Sequence, residues 1–200
     1  LGVDVECHVI RDTRPATDVP VVLPVGSIEG RKNHLALLEA CERLWSRGVK
    51  FELRLIGLAQ PQTGGAALTR IHSLQSAGRP LRYAGPVDNA TVEAAYADCA
   101  FTVYPSLIEG FGLPVIESLA HGKPCVCSAR GAIGESARGG GCVMLASVDA
   151  ANLAAAIERL LATPEELDGL SAAARARKFR SWRDYTAELT AWMHTLVRRD

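Results

Sequence analysis

The stretch "AFTVYPSLIEGFGLPVIESLAHGKPCVCS", residues 100–128, contains one complete strand–loop–helix–strand unit of the chain. It opens with an apolar segment rich in aromatic and β-branched residues, which predicts a buried strand. Pro114 suits the first turn of a helix and Gly122 suits the position just past its end, so we predict a helix over 113–121. "PCVCS" (124–128) then predicts the next strand. This order favours a right-handed crossover within a parallel sheet.

The same alternation of apolar runs and amphipathic segments extends over most of the chain. We predict strands at 21–27, 51–57, 81–85, 100–106, 124–128 and 141–146. We predict helices at 33–48, 67–77, 91–99, 113–121, 149–162, 165–178 and 182–197. Such alternation predicts the α/β class, with a parallel sheet of about six strands covered by helices on both faces. A polar, proline-marked segment at 1–20 is interpreted as a linker that leads into the domain.

Composition limits the classes of function. With 200 residues, 48% of them apolar, the chain can bury a substantial core. Lys and Arg together number 22, as do Asp and Glu, so a large basic surface for nucleic acid is not expected. No apolar run of membrane-spanning length or signal peptide is found, which favours a cytoplasmic location. The chain begins with Leu1, which we interpret as part of a longer protein.

Six cysteines are present, and none of them forms a Cys-x-x-Cys pair. Cys125 and Cys127 alternate with a valine in an apolar run, and we expect them to point to opposite faces of their strand. On this interpretation they do not share a metal site. We expect buried, reduced thiols.

Ligands of open α/β sheets bind beyond the carboxyl ends of the strands, which directs attention to the loops 26–33, 57–66, 84–90 and 105–113. In the last of these loops Gly110 and Gly112 flank Phe111 directly before a helix. Glycines allow backbone N–H groups to approach a ligand closely, and a helix N-terminus favours phosphate. The loop is therefore predicted to bind a phosphate group.

Two acids, Glu109 and Glu117, flank the glycines, and two cations, Arg31 and Lys32, lie in the loop "GSIEGRKN" (26–33). Carboxylates would repel a phosphate, but they accept hydrogen bonds from sugar hydroxyls. A nucleotide-sugar has hydroxyls on both sides of its diphosphate, and the two cations would stabilise that diphosphate as it departs. Because no Asp-x-Asp pair is present, we expect no metal and no cofactor, with the nucleotide-sugar as donor substrate.

Three segments carry a family resemblance: "EGFGLPVIE" (109–117), with its E-x7-E pattern, "VGSIEGRKNHLALLEA" (25–40) and "YAGPVDNATVEAAYADCAFTVYPS" (83–106). They resemble the C-terminal, nucleotide-sugar-binding half of retaining glycosyltransferases of the GT-B fold, family four (glycosyl transferases group 1). The resemblance extends over nearly all of the chain. It implies a Rossmann-like three-layer α/β/α domain at 21–180 and a C-terminal helix at 181–200 that packs on this domain or toward a missing N-terminal half.

The resemblance also implies roles for individual residues. Glu109 would act in catalysis by holding hydroxyls of the donor sugar, and Glu117 would hold the ribose hydroxyls. Lys32 would contact the diphosphate. Arg31 would supply the charge that many members carry just after the first glycine, where this chain has Ser27. The remaining donor contacts would come from the backbone of Gly110, Phe111, Gly112 and Leu113, at the sugar and phosphate, and of Gly85 and Val87, at the base.

For the full-length protein, the resemblance implies a hexosyltransferase of cell-surface polysaccharide synthesis, located in the cytoplasm or at the inner face of the membrane. The acceptor, a glycan or a lipid-linked glycan, would bind through the missing half, and the isolated chain would be inactive. Two alternatives remain open: half of a GT-B-type sugar-nucleotide epimerase, and a non-catalytic nucleotide-binding module.

Simpler interpretations also exist. Glu117 alone is explained by a favourable interaction with its helix dipole, and Arg31 with Lys32 by solvation. A helical apolar stripe near the C-terminus is expected to pack in the core, or in part to cover a surface meant for another domain; it consists of Trp182, Tyr185, Leu189, Trp192 and Leu196.

Overall fold

The computed structural model of the chain describes residues 19–197. Its strands are β1 (Val21–Leu23), β2 (Glu52–Leu55), β3 (Leu81–Tyr83), β4 (Phe101–Tyr104), β5 (Cys125–Ser128) and β6 (Cys142–Leu145). Its helices are α1 (His34–Ser46), α2 (Gly65–Ser76), α3 (Asn89–Asp98), α4 (Leu113–Ala120), α5 (Gly131–Ala137), α6 (Ala150–Ala162), α7 (Pro164–Arg175) and α8 (Trp182–Val197). All strand pairs are parallel. The predicted α/β class and six-stranded parallel sheet are therefore confirmed.

The strand order is β3-β2-β1-β4-β5-β6. The chain builds one half of the sheet outward from β1, then returns to place β4 on the other side of β1, with Val22 opposite Phe101. The direction of winding reverses between β1 and β4. In open sheets of this kind, the loops that follow these two strands flank the ligand-binding crevice.

Helices cover both faces of the sheet. Alternation along a strand sends neighbouring side chains to opposite faces, so Val22 joins the cluster formed with α1, α2 and α6, whereas Val21 and Leu23 join the one formed with α3. Similarly, Val126 lies on the first face and Cys125 on the second, under α4 and α5. The result is the three-layer α/β/α arrangement, with one core on each side of the sheet.

The expectation that Cys125 and Cys127 point to opposite faces of their strand is wrong. Residues two apart on a strand share a face, and both side chains point to the α4–α5 side. Cys142 is the neighbour of Cys125 in the adjoining strand. The sulfur atoms of these three cysteines all lie within 4.8 Å of one another.

The helix α5 was not predicted. It has seven residues, of which two are glycines and one, Ile133, is a large apolar residue. Gly134 is required by close packing, since a Cβ atom there would lie 2.1 Å from the carbonyl oxygen of Ala129. Short helices of this kind are fixed by tertiary contact rather than by a periodic pattern.

The C-terminal helix α8 differs from the others in its exposure. The expectation that its apolar stripe packs in the core is wrong, since four of the stripe's side chains are between 38% and 57% exposed: Trp182, Leu189, Trp192 and Leu196. The predicted linker at 1–20 lies almost wholly outside the described residues. Within residues 19–197, no helix is both long enough and apolar enough to cross a membrane.

Candidate functional site

The loops that follow β1 and β4 are bonded to each other at the reversal point of the sheet. The backbone N–H of Leu107 donates to the carbonyl oxygen of Arg31 at 2.8 Å, and the Arg31 guanidinium donates to the carbonyl oxygen of Ile108 at 3.3 Å. These contacts bring the predicted phosphate loop and the predicted E-x7-E loop together.

Glu109 is the centre of this contact. Its carboxylate accepts a hydrogen bond from Arg31 and lies 3.2 Å from the ammonium nitrogen of Lys32. Ser106, which is buried, donates to the same carboxylate at 3.0 Å. The side chains of Glu109 and Lys32 are only 10% and 12% exposed, whereas that of Arg31 is 44% exposed. The structure thus brings together three of the residues that the sequence pointed to, and adds Ser106.

The pKa of Glu109 reflects these partners. Burial by itself raises the pKa, but the hydrogen bond from Arg31, the charge of Lys32 and the hydrogen bond from Ser106 together lower it below its ordinary value. Glu109 is therefore an ionised acceptor near neutral pH.

A second acid, Glu29, shares Arg31. Its carboxylate lies 2.9 Å from the guanidinium, and Ser27 donates to the same oxygen at 2.6 Å. The hydrogen bond from Ser27 is the largest of the effects that hold the pKa of Glu29 below its ordinary value. Sequence reasoning missed Glu29. Its position two residues before Arg31 was the available signal, but the contact depends on the 3₁₀ turn at Gly30–Lys32.

The loop after β1 is shaped by two unusual backbone conformations. Gly26 has φ +139°, and a Cβ atom at that position would lie 3.0 Å from the Lys32 ammonium nitrogen. Asn33 adopts the left-handed conformation, with φ 57°, and its side-chain amide donates to the carbonyl oxygen of Val148 at 2.9 Å. Asparagine tolerates this conformation better than most residues. Lys32 is therefore held between a glycine that leaves it space and an asparagine that fixes the turn.

His34, the first residue of α1, lies directly behind this turn and is buried. Within residues 19–197 its Nδ1 atom has no hydrogen-bond partner. Burial, with a contribution from the charge of Lys32, lowers the pKa of His34 to about 4. The imidazole is therefore neutral at physiological pH and adds no charge to the site.

The N-terminus of α4 follows the loop that carries Glu109 directly. Gly112 precedes it with φ +80°, and Ser136 of α5 donates to the carbonyl oxygen of Phe111 at 2.7 Å, which holds the turn in place. Four consecutive N–H groups donate no hydrogen bond to any other described residue: Gly110, Phe111, Gly112 and Leu113. Unsatisfied N–H groups at a helix N-terminus form an anion-binding arrangement.

Glu117 lies one turn inside α4 in a different environment. Its carboxylate is half-buried and makes no hydrogen bond or ion pair within the described part of the chain. Burial, with a smaller contribution from Glu93, raises its pKa, and the charge of Lys32 opposes this only in part. The two acids of the E-x7-E motif do not touch, but Lys32 lowers the pKa of both.

Gly85 and Val87 lie on the connection from β3 to α3, at the same edge of the sheet. Gly85 has φ +68° with open space where a Cβ atom would be, and its carbonyl oxygen accepts from the N–H of Gly57 at 2.8 Å. Val87 packs against the α3 side of the core. Neither residue has a hydrogen bond, in residues 19–197, to the group around Glu109.

A surface pocket of about 480 Å³ lies elsewhere, between α1 and α6, and is lined by Arg43, Arg47, Ala151, Ala154, Ala155 and Glu158. Both of its arginines are already paired, one with Glu39 and the other with Glu158. It shares no residue with the loops that follow β1 and β4, so it is not part of the candidate site.

Comparisons with known proteins identify the family and the fold of this chain. The family model described as "Glycosyl transferases group 1" matches residues 19–163. The glycogen synthase of Mycobacterium tuberculosis is 30% identical over 177 residues, which make up 88% of this chain and 42% of that protein. The chain spans less than half the length of the curated relatives it matches.

Two solved structures extend the comparison to the fold. Sucrose-phosphate synthase from Thermosynechococcus elongatus superposes with a TM-score of 0.73 at 25% identity, over 92% of this chain and 47% of that one. Anabaena HepE, solved in complex with UDP and glucose, superposes with a TM-score of 0.68 at 19% identity, over 79% of this chain and 43% of that one. This chain belongs to the glycosyl transferases group 1 family, and its domain has the architecture of the C-terminal half of a GT-B glycosyltransferase.

Proposed function

We propose that this chain is the donor-binding half of a retaining glycosyltransferase that passes a sugar from a nucleoside diphosphate to a glycan or lipid-linked acceptor. The observation that carries the proposal is the meeting of Glu109 with Arg31 and Lys32 at the reversal point of the sheet, next to the unsatisfied N–H groups that precede α4. Cations, free amides and an ionised acceptor are then within one crevice.

The diphosphate of the donor binds at the N-terminus of α4. The N–H groups of residues 110–113 and the positive end of the helix dipole face its oxygens, and Lys32 supplies a full charge. These groups stabilise the negative charge that builds on the diphosphate as the sugar leaves. Arg31 contributes to this stabilisation after the ligand replaces Glu29 and Glu109 as its partner. No metal ion is required in this scheme.

The two acids bind hydroxyl groups on opposite sides of the diphosphate. Glu109 is kept ionised by its cationic neighbours and accepts hydrogen bonds from the transferred sugar. Glu117 has no partner within the described residues, so ribose hydroxyls would provide the hydrogen bonds that its half-buried carboxylate lacks. The backbone around Gly85 and Val87, with its open left-handed turn, lines the base pocket.

The named relatives support this assignment. A glycogen synthase and a sucrose-phosphate synthase are among the similar proteins, and HepE was crystallised with UDP and glucose. Because the chain spans under half of such proteins, acceptor binding is assigned to an N-terminal half. We place the complete enzyme in cell-surface polysaccharide synthesis, in the cytoplasm or at the inner face of the membrane.

Calorimetric titration with UDP, GDP and ADP tests donor binding. We expect one nucleotide to bind with 1:1 stoichiometry and Lys32→Ala to weaken it, because a full charge next to the diphosphate is removed. The matched control is Lys178→Ala, which removes the same charge from a position beyond α7. Equal affinities of the two variants, or no binding of any nucleotide, would contradict the proposal.

A second experiment tests the division of labour between the halves. The 200-residue chain is incubated with the nucleotide-sugar whose base binds best, and released nucleoside diphosphate is measured. We expect binding without turnover, because the acceptor site is assigned to the other half. Sustained turnover by this chain would refute that assignment. An affinity for the nucleotide-sugar that is unchanged in both Glu109→Ala and Glu117→Ala would favour a non-catalytic nucleotide-binding module.

A further inference from the structure

We propose that Cys125, Cys127 and Cys142 form a binding site for a trivalent thiophilic ion of the arsenic(III) class. The three residues extend from β5 and β6 on the face that carries α4 and α5. Their sulfur atoms all lie within 4.8 Å of one another. This site is distinct from the donor crevice, since none of its ligands belongs to the loops that follow β1 and β4.

The backbone holds the three sulfurs in a triangle. Cys125 and Cys127 are two apart on one strand and share a face, and Cys142 is the register partner of Cys125 on the next strand. With arsenic–sulfur bonds of about 2.3 Å, as in other thiolate sites, and the pyramidal geometry that the lone pair of arsenic(III) imposes, the three bound sulfurs would lie about 3.5 Å apart. Because none of the three sulfur–sulfur spacings exceeds 4.8 Å, a small approach of the sulfurs is sufficient to bind such an ion.

The number of available ligands argues for a three-coordinate ion. No fourth histidine, cysteine, aspartate or glutamate atom joins the group within residues 19–197. Structural Zn²⁺ sites in proteins take four ligands, so zinc would leave one coordination position unfilled. Sulfur is a soft ligand and selects soft ions.

The net charge of the occupied site also distinguishes arsenic(III) from other thiophilic ions. Cys125 and Cys127 are buried among apolar side chains of α4 and α5, including Leu119 and Ile133, so net charge at the site would be costly. Arsenous acid, As(OH)₃, reacts with three thiols to give As(SR)₃ and three water molecules. Three As–O bonds and three S–H bonds break, three As–S bonds and three water O–H bonds form, and no oxidation occurs. Reactants and products are neutral, whereas three thiolates with Zn²⁺ or Cu⁺ would leave a net negative charge.

Cys142 provides the access route. It is only partly buried, whereas Cys125 and Cys127 are fully buried, so the first As–S bond would form at Cys142 and the ion would then pass to the two inner thiols. Cys41 is also fully buried, but it lies in α1 on the opposite face of the sheet. This residue offers a matched control.

Intact mass spectrometry of the native 200-residue chain after incubation with arsenite, in buffer free of small thiols, tests the proposal. We expect one arsenic per chain, with a mass gain that corresponds to one arsenic atom less three hydrogen atoms. Cys142→Ala and, separately, Cys127→Ala should abolish that species, and Cys41→Ala should retain it. Circular dichroism checks that each variant is folded.

Four outcomes would overturn the proposal: no arsenic bound, a mass gain that corresponds to fewer than three lost hydrogens, full retention in Cys142→Ala, or tighter binding of Zn²⁺ than of arsenite in a competition titration. The thiols would then be packed as small apolar side chains, as isolated buried cysteines commonly are.

Discussion

Replacing Glu117 with glutamine should separate the function of this residue from its effect on stability. The carboxylate is half-buried and has no partner within residues 19–197, and burial raises its pKa. Glutamine has nearly the same shape and carries no charge. We therefore expect Glu117→Gln to weaken nucleotide binding and, in the ligand-free chain, to increase the free energy of unfolding at neutral pH.

The loss of affinity can be estimated from the hydrogen bonds involved. A hydrogen bond to a charged group contributes about 1.5–3 kcal/mol and one to a neutral group about 0.5–1.5 kcal/mol, so an amide oxygen in place of the carboxylate should cost about 1–1.5 kcal/mol for each donating hydroxyl. If ribose hydroxyls donate to Glu117, the dissociation constant of the preferred nucleotide should rise about 10- to 100-fold in the variant. Isothermal titration calorimetry at neutral pH measures it. Glu135→Gln, which removes the same charge from an exposed position on α5, is the control.

The stability effect has a defined pH dependence. Because the pKa of Glu117 is raised in the folded chain, the stability that its protonated form contributes is fully present below the ordinary value of 4.5. That contribution is lost as the pH rises through the raised folded value. Wild type and Glu117→Gln should therefore unfold at similar urea concentrations near about pH 4, and the variant should become the more stable one above this window. A variant that is less stable at neutral pH, or binds nucleotide as tightly as wild type, would refute the reasoning.

Three further predictions concern the loop before α1 and its neighbours. Glu29→Gln should tighten nucleoside diphosphate binding about 2- to 5-fold by calorimetry, because Arg31 loses a competing carboxylate; weaker binding would contradict this. Asn33→Ala should lower the free energy of unfolding in urea by about 1–3 kcal/mol, and Asn33→Gly by less, since glycine accepts the left-handed conformation; equal losses would exclude backbone strain as the cause. Gly57→Ala should lower the free energy of unfolding by about 3 kcal/mol or more, because its Cβ atom would lie 2.0 Å from a carbonyl oxygen. Gly48→Ala, at a position with positive φ but open space, should lower it by about 1–2 kcal/mol. Similar midpoints of thermal unfolding for the two variants would contradict the clash at Gly57.

The sheet was predictable because a strand buried on both faces of a parallel sheet is a short apolar run between turn residues. The predicted strand ends were less accurate. The segment 21–27 contains a strand of three residues, because Pro24 follows it and the chain then turns at Gly26 with φ +139°. Beyond that strand two isolated parallel bridges, Val25 with Ile56 and Ile28 with Ala59, continue the pairing alongside and past the end of β2. The C-terminal boundary of β1 is therefore set by the turn that begins the candidate site. An apolar sequence pattern does not indicate that turn.

The candidate site was predictable where chemistry and topology coincide. Arg31, Lys32 and Glu109 follow strands whose carboxyl ends meet, and the rule for open sheets was sufficient to place them near one another. Ser106 and Glu29 were not predicted, because their hydrogen bonds depend on the local turns of the two loops. The roles given to Gly85, Val87 and the amides before α4 stay predictions until a ligand is bound.

The charges of the site explain why a nucleotide-sugar suits it better than a simple phosphate. Arg31 and Lys32 carry two positive charges, and Glu29 and Glu109, which contact them, carry two negative ones, so the ligand-free group is neutral. A phosphate can bind the two cations only if they leave Glu109. That carboxylate is nearly buried and would keep fewer hydrogen-bond donors, which costs free energy. Sugar hydroxyls attached to the same ligand replace those donors. The exchange is therefore complete only for a molecule that carries both an anionic diphosphate and a hydroxyl-bearing sugar, and we expect a nucleoside diphosphate alone to bind more weakly.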